Sequence, residues 1–329
     1  MPADRRLAAL AVTLLALAGA FLMWQFASPT WALIRGDEAG PAAFILSLRG
    51  VKLAALVAVG LAIGTATILF QTVSENRILT PGILGFDALF IFVQTLLVFT
   101  MGGFGLASIG AGAQFLIDTS VMVVAACALF SVLLGAKSGP RDLSRMLLTG
   151  VIIGVLLRSL SGLMGRMIDP SEFAIVQGKM FATFGAVDRG NLILASLLIA
   201  PALLASLALA RRLDVMGLGR QTALGLGLDH DRWVLVVLAL VAVLTASATA
   251  LVGPVTFLGL LAASLARSLL GTHRHALLIP ATALIAAIIL VAGQFVFERL
   301  LGQESSLAVI IEFVGGLVFL ALVLKGKSA

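Results

Sequence analysis

The feature that most constrains this chain is a series of unbroken apolar runs, each about the length of one bilayer crossing and separated by short polar stretches. A helix needs about 20 predominantly apolar residues to cross the hydrocarbon layer. Inside that layer every backbone N–H and C=O must find its partner within the protein, which leaves helices and closed barrels. The runs are continuous and lack period-two alternation, so a barrel is excluded. Ten candidate spans follow, at 7–27, 49–71, 82–101, 115–136, 143–166, 190–210, 233–252, 255–270, 275–298 and 306–325. The eighth is short and follows Gly253-Pro254, the signature of a segment tolerated only where protein buries it. The chain is 60% hydrophobic and 12% charged, whereas soluble domains run near 45–50% and about 25%. A soluble enzyme, a disordered chain and a disulfide scaffold are therefore excluded, and the one cysteine, Cys127, allows no intramolecular disulfide.

Ten spans put both ends on one side, and basic residues choose the side. Fourteen of the 22 Lys and Arg residues fall on the side of the N terminus, seven on the other, and Arg158 lies within a span. Both termini are therefore expected in the cytoplasm. The first run, with Arg5-Arg6 ahead of it, is long enough to be a retained helix rather than a cleaved signal. The net charge of +6 is spread between the spans and gives no basic face for nucleic acid. Segments 28–48 and 167–189 are expected outside and 211–232 inside, and Gly102 to Gly112 reads as an external turn. Gly60-x-x-x-Gly64 and Gly150-x-x-x-Gly154 are small-residue faces that permit close helix contact.

The motifs of covalent chemistry are not found. Gly326-Lys327-Ser328 lacks the first glycine and the following helix of a phosphate-binding loop. His273 and His275 flank Arg274 in a cytoplasmic turn and read as solvated residues rather than metal ligands. No cofactor and no metal site are expected. Ion-driven carriers place acidic groups near mid-bilayer, where they are costly. Here Asp87 and Asp118 read as near span ends, and only Arg158 and Glu312 lie well within spans. Each sits about 10 Å below the outer surface at 1.5 Å per residue. An isolated charge at depth costs about 3 kcal/mol on the insertion scale, so the two are expected to compensate one another across the bundle or a pathway. Separate bonds to hydroxyls such as Ser159 or Ser161 are the alternative. Energy is then expected from another subunit, with a stand-alone ion-coupled secondary transporter as the other reading.

Three stretches carry a resemblance. The first is Leu48-Arg49-Gly50-Val51-Lys52-Leu53-Ala54-Ala55, followed by Gln71, Asn76 and Pro81-Gly82-Ile83-Leu84-Gly85. The second is Gly253-Pro254-Val255-Thr256-Phe257-Leu258-Gly259-Leu260 with Arg267, where Ala263-Ser264 replaces a usual Pro-His. The third is Val314-Gly315-Gly316-Leu317-Val318-Phe319 before Lys325. Together these resemble the FecCD/BtuC-type permeases of ABC importers for iron-siderophores, haem and vitamin B12. Ile168-Asp169-Pro170-Ser171-Glu172-Phe173 with Gln177-Gly178-Lys179-Met180 is similar to a branch serving catecholate siderophores. The resemblance implies one permease domain over 1–329 with ten helices, in the bacterial cytoplasmic membrane. It implies a dimer with a second copy or a homologue, two cytoplasmic ATP-binding subunits, and a periplasmic or lipid-anchored binding protein delivering a ferric siderophore. Arg49, Lys52 and Arg299 would dock the binding protein, though such charges also mark a membrane interface. Leu218, Gly219, Ala223, Leu224 and Gly225, within 211–232, would form the loop that couples to the ATPase. Arg158 and Glu312 would face the translocation pathway.

Overall fold

The computed structural model describes residues 3–23, 39–134, 143–299 and 307–325. Among these it holds thirteen α-helices and one π-helical turn. They are α1 (Ala3–Met23), α2 (Ala39–Val73), the π turn (Gly82–Phe86), α3 (Asp87–Ser108), α4 (Ala111–Leu134), α5 (Leu143–Gly165) and α6 (Pro170–Lys179). There follow α7 (Arg189–Ala208), α8 (Ala210–Met216), α9 (Arg220–Gly225), α10 (His230–Val252), α11 (Leu258–Leu270), α12 (His275–Arg299) and α13 (Leu307–Lys325). Eight of them are long and apolar enough to cross a membrane, while α11 and the Ala308–Val318 part of α13 are shorter apolar helices.

Local chemistry sets several boundaries. Asp188 caps α7 by accepting from the Asn191 backbone N at 3.1 Å, and Asp229 caps α10 by accepting from Arg232 N at 3.3 Å. Each carboxylate satisfies an N–H that has no partner within its own helix. Pro170 opens α6 at a position where its missing N–H costs nothing. The end of α11 is a left-handed Gly271 at φ 59°, the usual C-terminal stop.

Helices α2, α10 and α12 form the centre, with α4, α7 and α11 packed around them and α1 lying on α12. The first glycine face works as expected from its spacing. A Cβ on Gly60 would stand 2.5 Å from the Ala287 Cα, and one on Gly64 2.7 Å from the Thr282 carbonyl oxygen. Backbones approach this closely only where a side chain is missing. The second face meets the π turn, where a Cβ on Gly154 would lie 3.2 Å from the Gly85 Cα. Gly85 itself takes φ 97°, which a larger residue would adopt only with strain.

Two expectations need correction. Gly102 does not begin an external turn: it kinks α3 at φ 70°, and the helix continues to Ser108. Glu172 of α6 supports the kink by accepting from the Gly103 backbone N at 2.8 Å. His275 is not solvated but buried, while His273 is exposed as expected. The cause is Asp214, which draws the His275 ring and backbone into the protein.

Candidate functional site: a central polar cluster, a rim and a coupling segment

The polar groups inside the bundle gather where two helix breaks face each other. Pro81 and the π turn delay the start of α3, and Gly253-Pro254 delays the start of α11 until Leu258. Between these breaks stand Asp87 and Thr256, approached by Glu312 from α13 and Arg158 from α5. The Thr256 hydroxyl donates to Glu312 Oε1 at 3.4 Å, and its side chain shares a small cavity with the Asp87 carboxylate. One hydroxyl carries one hydrogen, so Thr256 can donate to only one of these carboxylates at a time. The Arg158 charge acts on Asp87, and the Asp87 and Glu312 charges act on each other. Thr67, Thr80, Thr245 and Thr249 line a small cavity with Asp87 and Thr256.

This arrangement revises the expected partnership of Arg158 with Glu312. Among the described residues the two form no ion pair; Thr256 is the Glu312 partner, and Asp87 the nearby anion for Arg158. Asp87 and Thr256 escaped the sequence reading because Asp87 sits at a helix start, which suggested a place near the membrane surface. The available signal was the pair of Pro/Gly breaks before them, since irregular backbone at depth is tolerated where it lines a protein-enclosed space.

A second buried group ties α6 to the bundle. Lys179 donates to Gln94 Oε1 at 2.6 Å and lies 3.9 Å from Asp118 Oδ2. Burial holds the Lys179 ammonium below the usual lysine range, and Asp118 partly offsets that. The following segment continues inward: Thr183 N donates to the Val252 carbonyl at 2.8 Å, and Gly253, at φ 101°, packs against Ala182.

At the rim, Lys52 donates to Glu298 Oε1 at 2.6 Å, and Gln294 donates to the same oxygen at 2.5 Å. Lys52 therefore joins α2 to α12 as well as facing outward. Arg49 donates to the Leu22 carbonyl at 3.4 Å and is half-buried. Arg299 closes α12, and its side chain lies outside the described residues.

The segment after α7 folds into two short helices separated by a tight reversal. Gly219 takes φ 90° and Gly227 φ 81°, so the chain turns sharply on either side of α9. Arg220 clasps Asp231 with two bonds, at 2.8 and 3.2 Å, and Arg212 stacks 3.9 Å from the Trp233 ring. The Asp231 carboxylate holds the exposed Arg220 guanidinium above its ordinary range. Leu218, Leu224 and Leu226 are exposed and Gly225 is open, whereas Ala223 is fully buried. Ala223 thus supports this knob from within, and the apolar surface it presents is made of leucines.

Comparison with known proteins agrees with this architecture. The description "FecCD transport family" matches residues 7–325. The petrobactin import system permease protein YclO of Bacillus subtilis is 39% identical over 286 residues, 87% of this chain and 90% of the relative. FatC, a petrobactin import system permease protein of Bacillus anthracis, is 32% identical over 86% of this chain and 80% of its own. The ferric enterobactin transport system permease protein FepD of Escherichia coli is 32% identical over 82% and 78%. A solved inward-facing metal-chelate type ABC transporter superposes with TM-score 0.81 at 20% identity, covering 98% of this chain and 99% of that one. The multi-pass helical bundle, its ordered motifs and these matches place the chain in one family: it belongs to the FecCD transport family of ABC importer permeases, proteins of the cytoplasmic membrane.

Proposed function

We propose that this permease carries a ferric-siderophore complex inward, driven by a separate ATP-binding subunit and supplied by a binding protein outside. The cargo class rests on the relatives, whose names specify petrobactin and ferric enterobactin. The separate energy source is supported most directly by the α8–α9 knob, whose exposed Leu218, Leu224 and Leu226 suit a protein partner better than water. Alternating access follows: closure of the ATPase pair moves the knob, and the bundle opens to one side. Arg49, and Lys52 through its outward face, steer the binding protein to the rim, where charges fix register more than affinity. The Arg158–Asp87–Thr256–Glu312 cluster lies along the pathway and offers polar groups to a chelate in transit. A pair of permease subunits, identical or homologous, encloses that pathway.

Membership of the family sets aside the stand-alone ion-coupled carrier. The cargo class is tested with proteoliposomes holding the permease with its ATPase and binding protein. Iron-labelled petrobactin and enterobactin are expected to accumulate and a trihydroxamate siderophore to compete poorly. Equal competition by all chelates would leave the ferric-siderophore class standing and contradict a preference for catecholates, the branch to which residues 168–180 are similar.

A further inference from the structure

Asp214, His275 and Thr72 form a continuous hydrogen-bonded chain that joins the coupling segment to two core helices. Asp214 lies on α8. Its Oδ1 accepts from the His275 backbone N at 2.7 Å and stands 2.7 Å from His275 Nδ1. The carboxylate therefore caps the N terminus of α12 from another element, where a helix dipole favours negative charge. On the far side of the ring, His275 Nε2 stands 2.7 Å from the Thr72 hydroxyl, one residue before the end of α2.

The proton inventory fixes the direction of the Asp214 bond. A carboxylate only accepts, so Nδ1 carries the hydrogen and donates to Asp214. In the neutral ring Nε2 accepts from Thr72, whose hydroxyl then gives up the Ile68 carbonyl at 2.8 Å; in an imidazolium Nε2–H donates to Thr72 and that bond stays in place. Either form satisfies both contacts. The ring is buried and lies beside Gly217, where an added Cβ would be 3.8 Å from Cε1.

Helices α2 and α12 are themselves locked by the Gly60–Gly64 contact, so a force on one is delivered to both. We infer that His275 is the positioning residue through which displacement of the α8–α9 knob reaches the α2–α12 pair. Asp214 is the attachment on the knob, and Thr72 the attachment on α2. The inference rests on the reading that an ATPase docks on this knob. It adds a specific route into the bundle.

The test uses the full permease co-purified with its ATPase and reconstituted with the binding protein. Two quantities are measured, ATP hydrolysed and ferric petrobactin accumulated. Failure of the wild-type complex to assemble or to accumulate the chelate would defeat the docking reading itself. With a working wild type, His275→Ala and Asp214→Ala should still co-purify with the ATPase but lose at least tenfold in chelate moved per ATP. Asp214→Asn, which keeps one acceptor oxygen, should lose less. Thr72→Val should lose severalfold and Thr72→Ser should restore the wild-type ratio. The threonine pair decides the matter if His275→Ala does not assemble, because it changes one hydroxyl at the far end of the chain. Ratios within twofold of wild type for Asp214→Ala and Thr72→Val would overturn the inference. So would equal losses for Thr72→Val and Thr72→Ser.

Discussion

The contact between α2 and α12 can be probed by the same substitution at two places on one helix. Gly50 and Gly60 both lie in α2. A Cβ on Gly50 meets nothing within 4 Å, whereas one on Gly60 would be 2.5 Å from the Ala287 Cα and 2.6 Å from its N. Those neighbours are backbone atoms and cannot rotate aside, so the helices must separate by roughly 1 Å to reach ordinary contact distance. Overpacking of this kind costs about 1–3 kcal/mol, and replacing a helical glycine by alanine returns up to about 1 kcal/mol. With that return made at both sites, Gly60→Ala is expected to destabilise by up to about 2 kcal/mol net and Gly50→Ala to stabilise by up to about 1 kcal/mol, so that the two differ by the overpacking cost of about 1–3 kcal/mol. Thermal unfolding of both variants in one detergent, followed by loss of monodisperse protein, gives the comparison. On the proposed route through the α2–α12 pair, Gly60→Ala should also lower uptake at fixed ATPase content. Equal midpoints for the two variants would refute the claim that this face sets the helix separation.

Other consequences follow from single contacts. Glu298→Gln or Lys52→Met should each destabilise by about 1–3 kcal/mol, since each leaves a partly buried charge without its counter-charge, and the double variant should recover part of the loss in the same unfolding assay. For that reason charge reversal at Arg49 alone is the cleaner test of docking, with slower binding-protein association at low salt as the expected result in a surface-capture measurement. A double-mutant cycle should find stronger coupling between Arg158 and Asp87 than between Arg158 and Glu312, measured as expression and uptake; the reverse order would restore the direct pair. Leu224→Asp should weaken ATPase co-purification without loss of thermal stability, whereas Ala223→Trp should lower stability because its site is filled.

The spans were legible because hydrophobic length is a property of contiguous sequence. Most expected apolar runs match a helix to within a few residues, and the short eighth is the short α11. The exceptions are the second, whose helix starts at Ala39 inside the segment expected outside, and the third, whose helix runs on to Ser108; among the described residues eight helices are long enough to cross. The glycine faces were legible for the same reason: spacing alone puts Gly60 and Gly64 on one side. What could not be read was which residues meet across the bundle. Asp87 looked superficial and Thr256 unremarked because their proximity depends on two helix breaks facing each other in space. His275 looked solvated because nothing near it in sequence names Asp214, sixty-one positions earlier, as its partner. Glu172 and Gly103 are a similar case, with a kink stabilised from a separate helix. Fold followed from local pattern here, whereas the site required the tertiary approach.

The central claim is that ATP hydrolysis in another subunit drives inward movement of a ferric siderophore through this chain. It is tested most directly in sealed proteoliposomes containing the permease, its ATPase and its binding protein, with iron-labelled petrobactin on the side of the binding protein. ATP supplied to the ATPase side should produce accumulation against the gradient. Proton or sodium gradients without ATP should produce none, and dissipating both gradients should leave ATP-driven accumulation unchanged. Accumulation driven by an ion gradient alone, with ATP having no effect, would contradict the account.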